Sequence, residues 1–224
     1  MLNASYTSER TALLLVDPYN DFISEGGKFW PMVQGVAKEV GLLVNLRNVI
    51  AAIRKVGIRV FFVPHRRWKP GDYKNWDHPN PYQVASGEAQ AFAEGTWGGE
   101  WHPDFAPQAG DVIVKEHWGS SGFANTDLDL LLKQHRIVRV IVVGLLANTC
   151  IECTSRFAVE LGYHVTLVKD ATAAFSMDRM HAAHELNGPT FAHAIVTTAD
   201  LVAALSQQSA VIEQKSDARA AAKI

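Results

Sequence analysis

Cysteine is scarce, with two in 224 residues. That excludes a disulfide-stapled secreted scaffold and a multi-cysteine zinc module. An excess of one charge is also missing. Twenty-one Lys and Arg stand against 23 Asp and Glu, for a formal net charge of −2 and a pI near 6.5, so there is no electrostatic footprint for nucleic acid. No run of about 18 uncharged apolar residues occurs, and no membrane span is expected. The first ten residues are polar, carry Glu9 and lack the apolar core and cleavage site of a signal peptide, which leaves the cytoplasm as the expected compartment. There is no Walker loop and no G-x-G-x-x-G, which disfavours nucleotide-phosphate binding. Internal repeats and low-complexity tracts are missing too.

Short apolar runs alternating with helical spacing fill most of the chain. Expected strands are Ala12–Val16, Ile58–Val63, Asp111–Lys115, Val138–Val143, His164–Val168 and Ala192–Val196. Between them, helices are expected over Val36–Val56, Thr126–His135, Thr149–Leu161 and Met177–Leu186, with a last one over Ala199–Leu205. Strands this apolar are covered on both faces, which indicates a mostly parallel six-stranded sheet in a three-layer α/β/α, Rossmann-like sandwich. Residues 1–206 read as one domain. Within it, 65–110 is a long Pro- and Trp-rich loop of the kind that forms a lid or an interface. Residues 207–224 read as a C-terminal tail.

In such sheets ligands sit beyond the carboxyl ends of the strands. Three chemically capable residues fall there. Cys150 follows the fourth strand at a helix start, where the dipole favours a thiolate and free N–H groups could hold an oxyanion; a buried small hydrophobe is the competing reading. Asp17 ends the first strand and could take a thiol proton or simply form a turn. Lys115 ends the third strand and could hold a neighbouring carboxylate ionised or snorkel to water. Taken together they favour an acid–lysine–thiol hydrolase.

Three ordered stretches carry a resemblance. Leu13-Leu14-Leu15-Val16-Asp17-Pro18-Tyr19-Asn20-Asp21-Phe22 is similar to an opening D-x-Q-N-D-F. Lys115 to Leu128 is similar to K-x-x-x-S-A-F-x-x-T-x-L. Gly144 to Ala158, containing Asn148-Thr149-Cys150, is close to G-x-x-T-N-x-C-V-x-x-T-x-x-x-A. The chain resembles the isochorismatase-like cysteine hydrolases (nicotinamidases, N-carbamoylsarcosine amidases, ureidoacrylate hydrolases and relatives) from about Ala12 to Ala199. The resemblance implies that Asp17 is the general base, Lys115 the catalytic lysine and Cys150 the nucleophile. It further implies a non-proline cis bond at Leu145–Leu146, an oxyanion hole from the Leu146 and Cys150 amides, and an aromatic, Phe22, flanking the substrate. A homo-oligomer, dimer to octamer, is implied as well.

Some positions depart from the family pattern. Tyr19 replaces a Gln of the pocket's polar floor and is expected to touch substrate there, and Ala147 replaces the elbow Thr. Where the nicotinamidase branch carries an Asp-x-His metal pair, this chain reads His65-Arg66-Arg67-Trp68, so no metal and no cofactor is expected. Arg66 could grip a substrate carboxylate, and Trp97 and Trp118 could cap a flat substrate; packing at a subunit contact is the competing reading for these loop residues. Cys150 and Cys153 form a C-x-x-C without the usual Gly-Pro, and His181 and His184 lie one helical turn apart without a zincin pattern.

The resulting expectation is a hydrolase of a C–N bond in a small amide, carbamoyl or ureide compound, acting through a thioester. The alternatives are vinyl ether hydrolysis of the isochorismatase type, in which the nucleophilic Cys is lacking, and a binding or redox-sensing protein on the same fold.

Overall fold

The computed structural model describes residues 6–208. Six strands form one sheet: β1 (Thr11–Val16), β2 (Arg59–Val63), β3 (Val112–Ile113), β4 (Arg139–Leu145), β5 (His164–Ala173) and β6 (Ala194–Val196). Their spatial order is β3-β2-β1-β4-β5-β6, and every pairing is parallel. Alternate residues feed two separate cores. Leu13, Leu15, Phe62, Ile141 and Val143 face one side, whereas Leu14, Val16, Phe61, Val140 and Val142 face the other. Helices cover both faces because each strand is buried on both.

On the first side lie α1 (Asn20–Ile23), α2 (Trp30–Val40) and α3 (Leu42–Lys55), with a last helix over 198–208. The opposite side carries α5 (Leu128–Gln134) and α6 (Glu152–Glu160), while α4 (Pro81–Glu88) and α7 (Met177–His181) sit in connections. No described helix is long and apolar enough to cross a membrane. The tail beyond residue 208 lies outside the described residues.

The expected single helix over Val36–Val56 is two helices. Gly41 separates them with φ +71, a left-handed conformation that costs glycine little. The first begins earlier, at Trp30, with Pro31 in its opening turn, where no N–H is required. β5 runs on to Ala173, with a register shift against β4 between Val142 and Gly144. β3 contains only two residues. The segment 65–110 contains α4, opened by a reciprocal capping box between Asn80 and Gln83.

The ends of the central strands are level. Val16 pairs with both Val63 and Gly144, so the chain leaves β1, β2 and β4 at one edge. A Cβ at Gly144 would lie 2.1 Å from the Val16 carbonyl oxygen, so a side chain there would push the two strand ends apart.

Candidate active site

Asp17 is the first residue after β1 and is fully buried. Its φ of +53 suits an Asp better than a β-branched residue, and its N–H donates to the Val63 carbonyl. Cys150 comes off β4 through the cis Leu145–Leu146 bond and a tight turn over Ala147–Ile151 that opens α6. The cysteine is 8% exposed.

The third partner is His117. Its imidazole Nε2 lies 3.2 Å from Asp17 Oδ1, and its Nδ1 lies 2.7 Å from the Gly119 carbonyl oxygen. Asp17, His117 and Cys150 each place one polar atom within 4.8 Å of the other two. Beyond the end of β3 the chain keeps pairing with the segment after β2: Arg66 N–H donates to the His117 carbonyl and His117 N–H to that of Pro64. Glu116 anchors the same stretch by accepting from Arg66 and Arg67.

Lys115 is not brought to this group. Its side chain is exposed, and its backbone N–H is used by the Asp127 carboxylate at 2.7 Å. The reason is spacing. In the pattern K-x-x-x-S-A-F, the lysine stands four residues before the serine, and four before Ser121-Gly122-Phe123 stands His117. Counting back from the serine, rather than choosing the visible lysine, would have found it.

The proton inventory follows from these partners. A carbonyl only accepts, so His117 Nδ1 carries a hydrogen. Nε2 and Asp17 Oδ1 are then two acceptors facing each other unless they share a proton. The resting pair therefore holds one proton, as imidazolium–carboxylate or imidazole–carboxylic acid. Asp17 Oδ2 is buried and has no hydrogen-bond donor. Burial pushes the Cys150 thiol well above its ordinary pKa, and the neighbouring Asp17 carboxylate adds to the rise; the Thr149 hydroxyl, which donates to the sulfur at 3.9 Å, counters it. The thiol is consequently protonated at rest, beside an unoccupied carboxylate acceptor.

A cavity of about 230 Å³ opens onto Cys150. Phe22, Phe29, Phe92 and Phe175 line it, with Leu146, Thr149, His65, Ser120 and residues of α4. Of the side chains expected to touch substrate, Phe22 lies on this wall and four others do not. Tyr19 is stacked between Phe92 and Trp101 and donates to the His65 carbonyl. Arg66 is held by both oxygens of Asp72 and by Glu116, and lies over Trp118. Trp118 packs against Tyr73 and Trp76. Trp97 is half exposed, and its carbonyl accepts from Asn20.

Sequence reasoning missed Phe29, Phe92 and Phe175, which are remote from one another in the chain, as well as Asp21. The Asp21 carboxylate accepts from the N–H groups of Lys28 and Phe92 and so ties the 65–110 segment to α1.

As metal ligands, Asp17, His117 and Cys150 form the one qualifying group of three among the described residues, a set whose thiol and imidazole suit zinc. The stretch at His65 does not form a second set. His65 Nδ1 lies against the Arg66 carbonyl, and both arginines are in ion pairs.

The family model described as the Isochorismatase domain matches residues 11–200. The chain belongs to the isochorismatase family. It is 28% identical over 214 residues to the ureidoacrylate amidohydrolase RutB of Agrobacterium fabrum (strain C58), covering 91% of this chain and 93% of that one. A cysteine hydrolase from Pseudomonas syringae pv. phaseolicola 1448A superposes with a TM-score of 0.75 at 24% identity, covering 92% of this chain and all of the other. The N-carbamoylsarcosine amidase of Thermoplasma acidophilum gives a TM-score of 0.59 at 26% identity, covering 84% and 96%.

Proposed function

We infer that this family member is an amidohydrolase that cleaves the C–N bond of a small amide, carbamoyl or ureide compound through a thioester on Cys150. The family and the named activities of its relatives support C–N hydrolysis. The observation that carries the mechanism is the buried meeting of Asp17, His117 and Cys150 at the strand ends.

The free oxygen of Asp17 takes the thiol proton as sulfur attacks the carbonyl carbon. Backbone N–H groups of Leu146 and Cys150 receive the developing oxyanion, and such donors are worth roughly 3–4 kcal/mol each where measured. Asp17 returns the proton to the leaving nitrogen, and ammonia or an amine departs. Water, deprotonated by the same carboxylate, then attacks the thioester, and the proton goes back to sulfur with release of the acid. His117 holds Asp17 Oδ1 at 3.2 Å and leaves Oδ2 free for the thiol, in the place the family pattern gives to a lysine.

The test is mass spectrometry of enzyme quenched during turnover of an amide. A mass increment of the acyl group on the peptide containing Cys150 is expected. Steady ammonia release with no adduct, and undiminished in Cys150→Ala, would remove the thioester.

A further inference from the structure

The cavity beside Cys150 offers an unusual combination. Four phenylalanines from four separate segments line it, and among the described residues no Lys or Arg does. Arg179 lies over the Phe175 ring, 5.6 Å from its centroid, without lining the cavity, and other cations close by in the chain are held elsewhere. Lys28 Nζ donates to the Gln90 carbonyl at 2.6 Å. Arg66 is held by Asp72 and Glu116, and Arg67 by Glu116.

His65, the titratable group on the wall, offers no charge either. Its Nδ1 lies 2.9 Å from the Arg66 carbonyl and so carries the hydrogen, which leaves Nε2 as an acceptor. His65 is buried against Phe92 and His117, and no described carboxylate is bonded to its ring. Gln83, the amide on the wall, is spent as well: Nε2 donates to the Trp118 carbonyl and Oε1 accepts from Asn80 N–H.

A carboxylate entering this space would lose its water and find no Lys or Arg on the lining to replace it. An uncharged ring would lose little and would meet the faces of Phe22, Phe29 and Phe92, which already pack 4.9–5.6 Å apart. The volume lies below the roughly 300–1,000 Å³ of pockets for drug-sized ligands, so the group is about one ring in size.

We propose that the substrate is an uncharged amide, carbamate or ureide bearing an apolar, ring-sized group, and that the site discriminates against carboxylate-bearing compounds. The proposal rests on the amidohydrolase reading. It separates this chain from relatives named for ureidoacrylate and N-carbamoylsarcosine, both of which are carboxylates.

The test uses matched pairs: ureidoacrylate and its methyl ester, N-carbamoylsarcosine and its methyl ester, with cinnamamide as the ring-bearing neutral compound. Ammonia release is followed for kcat/KM. Each neutral member should exceed its anion by about 100-fold or more, and cinnamamide should lead the set. Anions turned over as fast as their esters, or faster, would overturn the proposal while leaving the hydrolase intact.

Calorimetry with the same compounds on Cys150→Ala decides the pocket separately. Binding of the neutral compounds supports the proposal; tighter binding of the anions, or no binding of cinnamamide, overturns it. If nothing releases ammonia from the wild type, the hydrolase reading fails, and the calorimetry still stands on its own. A cation added at the half-exposed wall residue in Met32→Arg should move the anion-to-neutral ratio upward about tenfold. A ratio unmoved by the arginine would show that charge is not what the wall selects.

Discussion

The floor and the wall of the cavity are built by different means. The floor consists of the ends of β1 and β4, with Asp17 and Cys150 fixed by strands buried to 0% exposure on both faces. The wall is assembled from α1, the start of α2, the segment around α4 and the stretch after β5, held by isolated hydrogen bonds and ring contacts. A packed interior fixes position to fractions of an ångström, whereas a surface connection is free to vary. Under the proposed function, reaction chemistry falls to the floor and substrate choice to the wall.

That contrast fails unless floor changes abolish turnover without unfolding the protein. Cys150→Ala should lower kcat by about 10⁴-fold or more, with circular dichroism and Tm near wild type. A variant that melts early would mean that the cysteine mainly packs the core.

The next largest effect separates two residues of one turn. His117→Ala should cost about 10–10² in kcat/KM, as loss of a hydrogen bond to a charged group does, whereas Lys115→Ala should stay within about twofold, as surface changes do. The reverse ranking would restore the lysine to the site. His117→Lys sharpens the point: a lysine can still donate to Asp17, so it should recover more kcat/KM than His117→Ala, and no recovery would mean that the imidazole does more than donate that hydrogen bond.

Acid stability should distinguish the regions less sharply. Burial, first of all, lowers the pKa of both His65 and His184 to about 4. A histidine kept neutral by folding contributes stability that is complete above about pH 6.5 and is lost as pH falls toward about 4, to the extent of about 3 kcal/mol for each group. Urea unfolding from pH 7 to 4 should show that loss. His184, bonded to Thr172 and not to Asp17, His117 or Cys150, can be tested alone: His184→Gln should flatten the slope without moving the pH profile of catalysis. The smallest effect is expected at the rim. Trp97→Ala, at a ring 50% exposed, should change KM by no more than about twofold.

The floor could be read from the sequence because its causes are local. Wholly apolar runs ending at Asp17-Pro18 and Gly144 announce buried parallel strands and the edge where chemistry gathers. Trp30-Pro31 was harder, since proline reads as a stop although the first helical turn tolerates it. Asn80-Pro81 with Gln83 was a helix-start signal inside what looked like plain loop. His117 was hidden by a nearby lysine that fits the expected residue type but not the spacing. The four phenylalanines of the wall could not be grouped beforehand. Their meeting depends on tertiary hydrogen bonds such as those of Asp21, for which linear order offers no rule.

Asp21 carries a consequence of its own. One carboxylate, set four residues beyond Asp17, grips the amides of Lys28 and Phe92, and a Cβ at Gly98 would lie 2.3 Å from its oxygen. The 65–110 segment thus hangs beside α1 on several pegs, Asp21 and also Asn20, which donates to the Trp97 and Glu100 carbonyls. Exchanging what hangs there could retune which molecules are admitted while the reaction itself stays as it was.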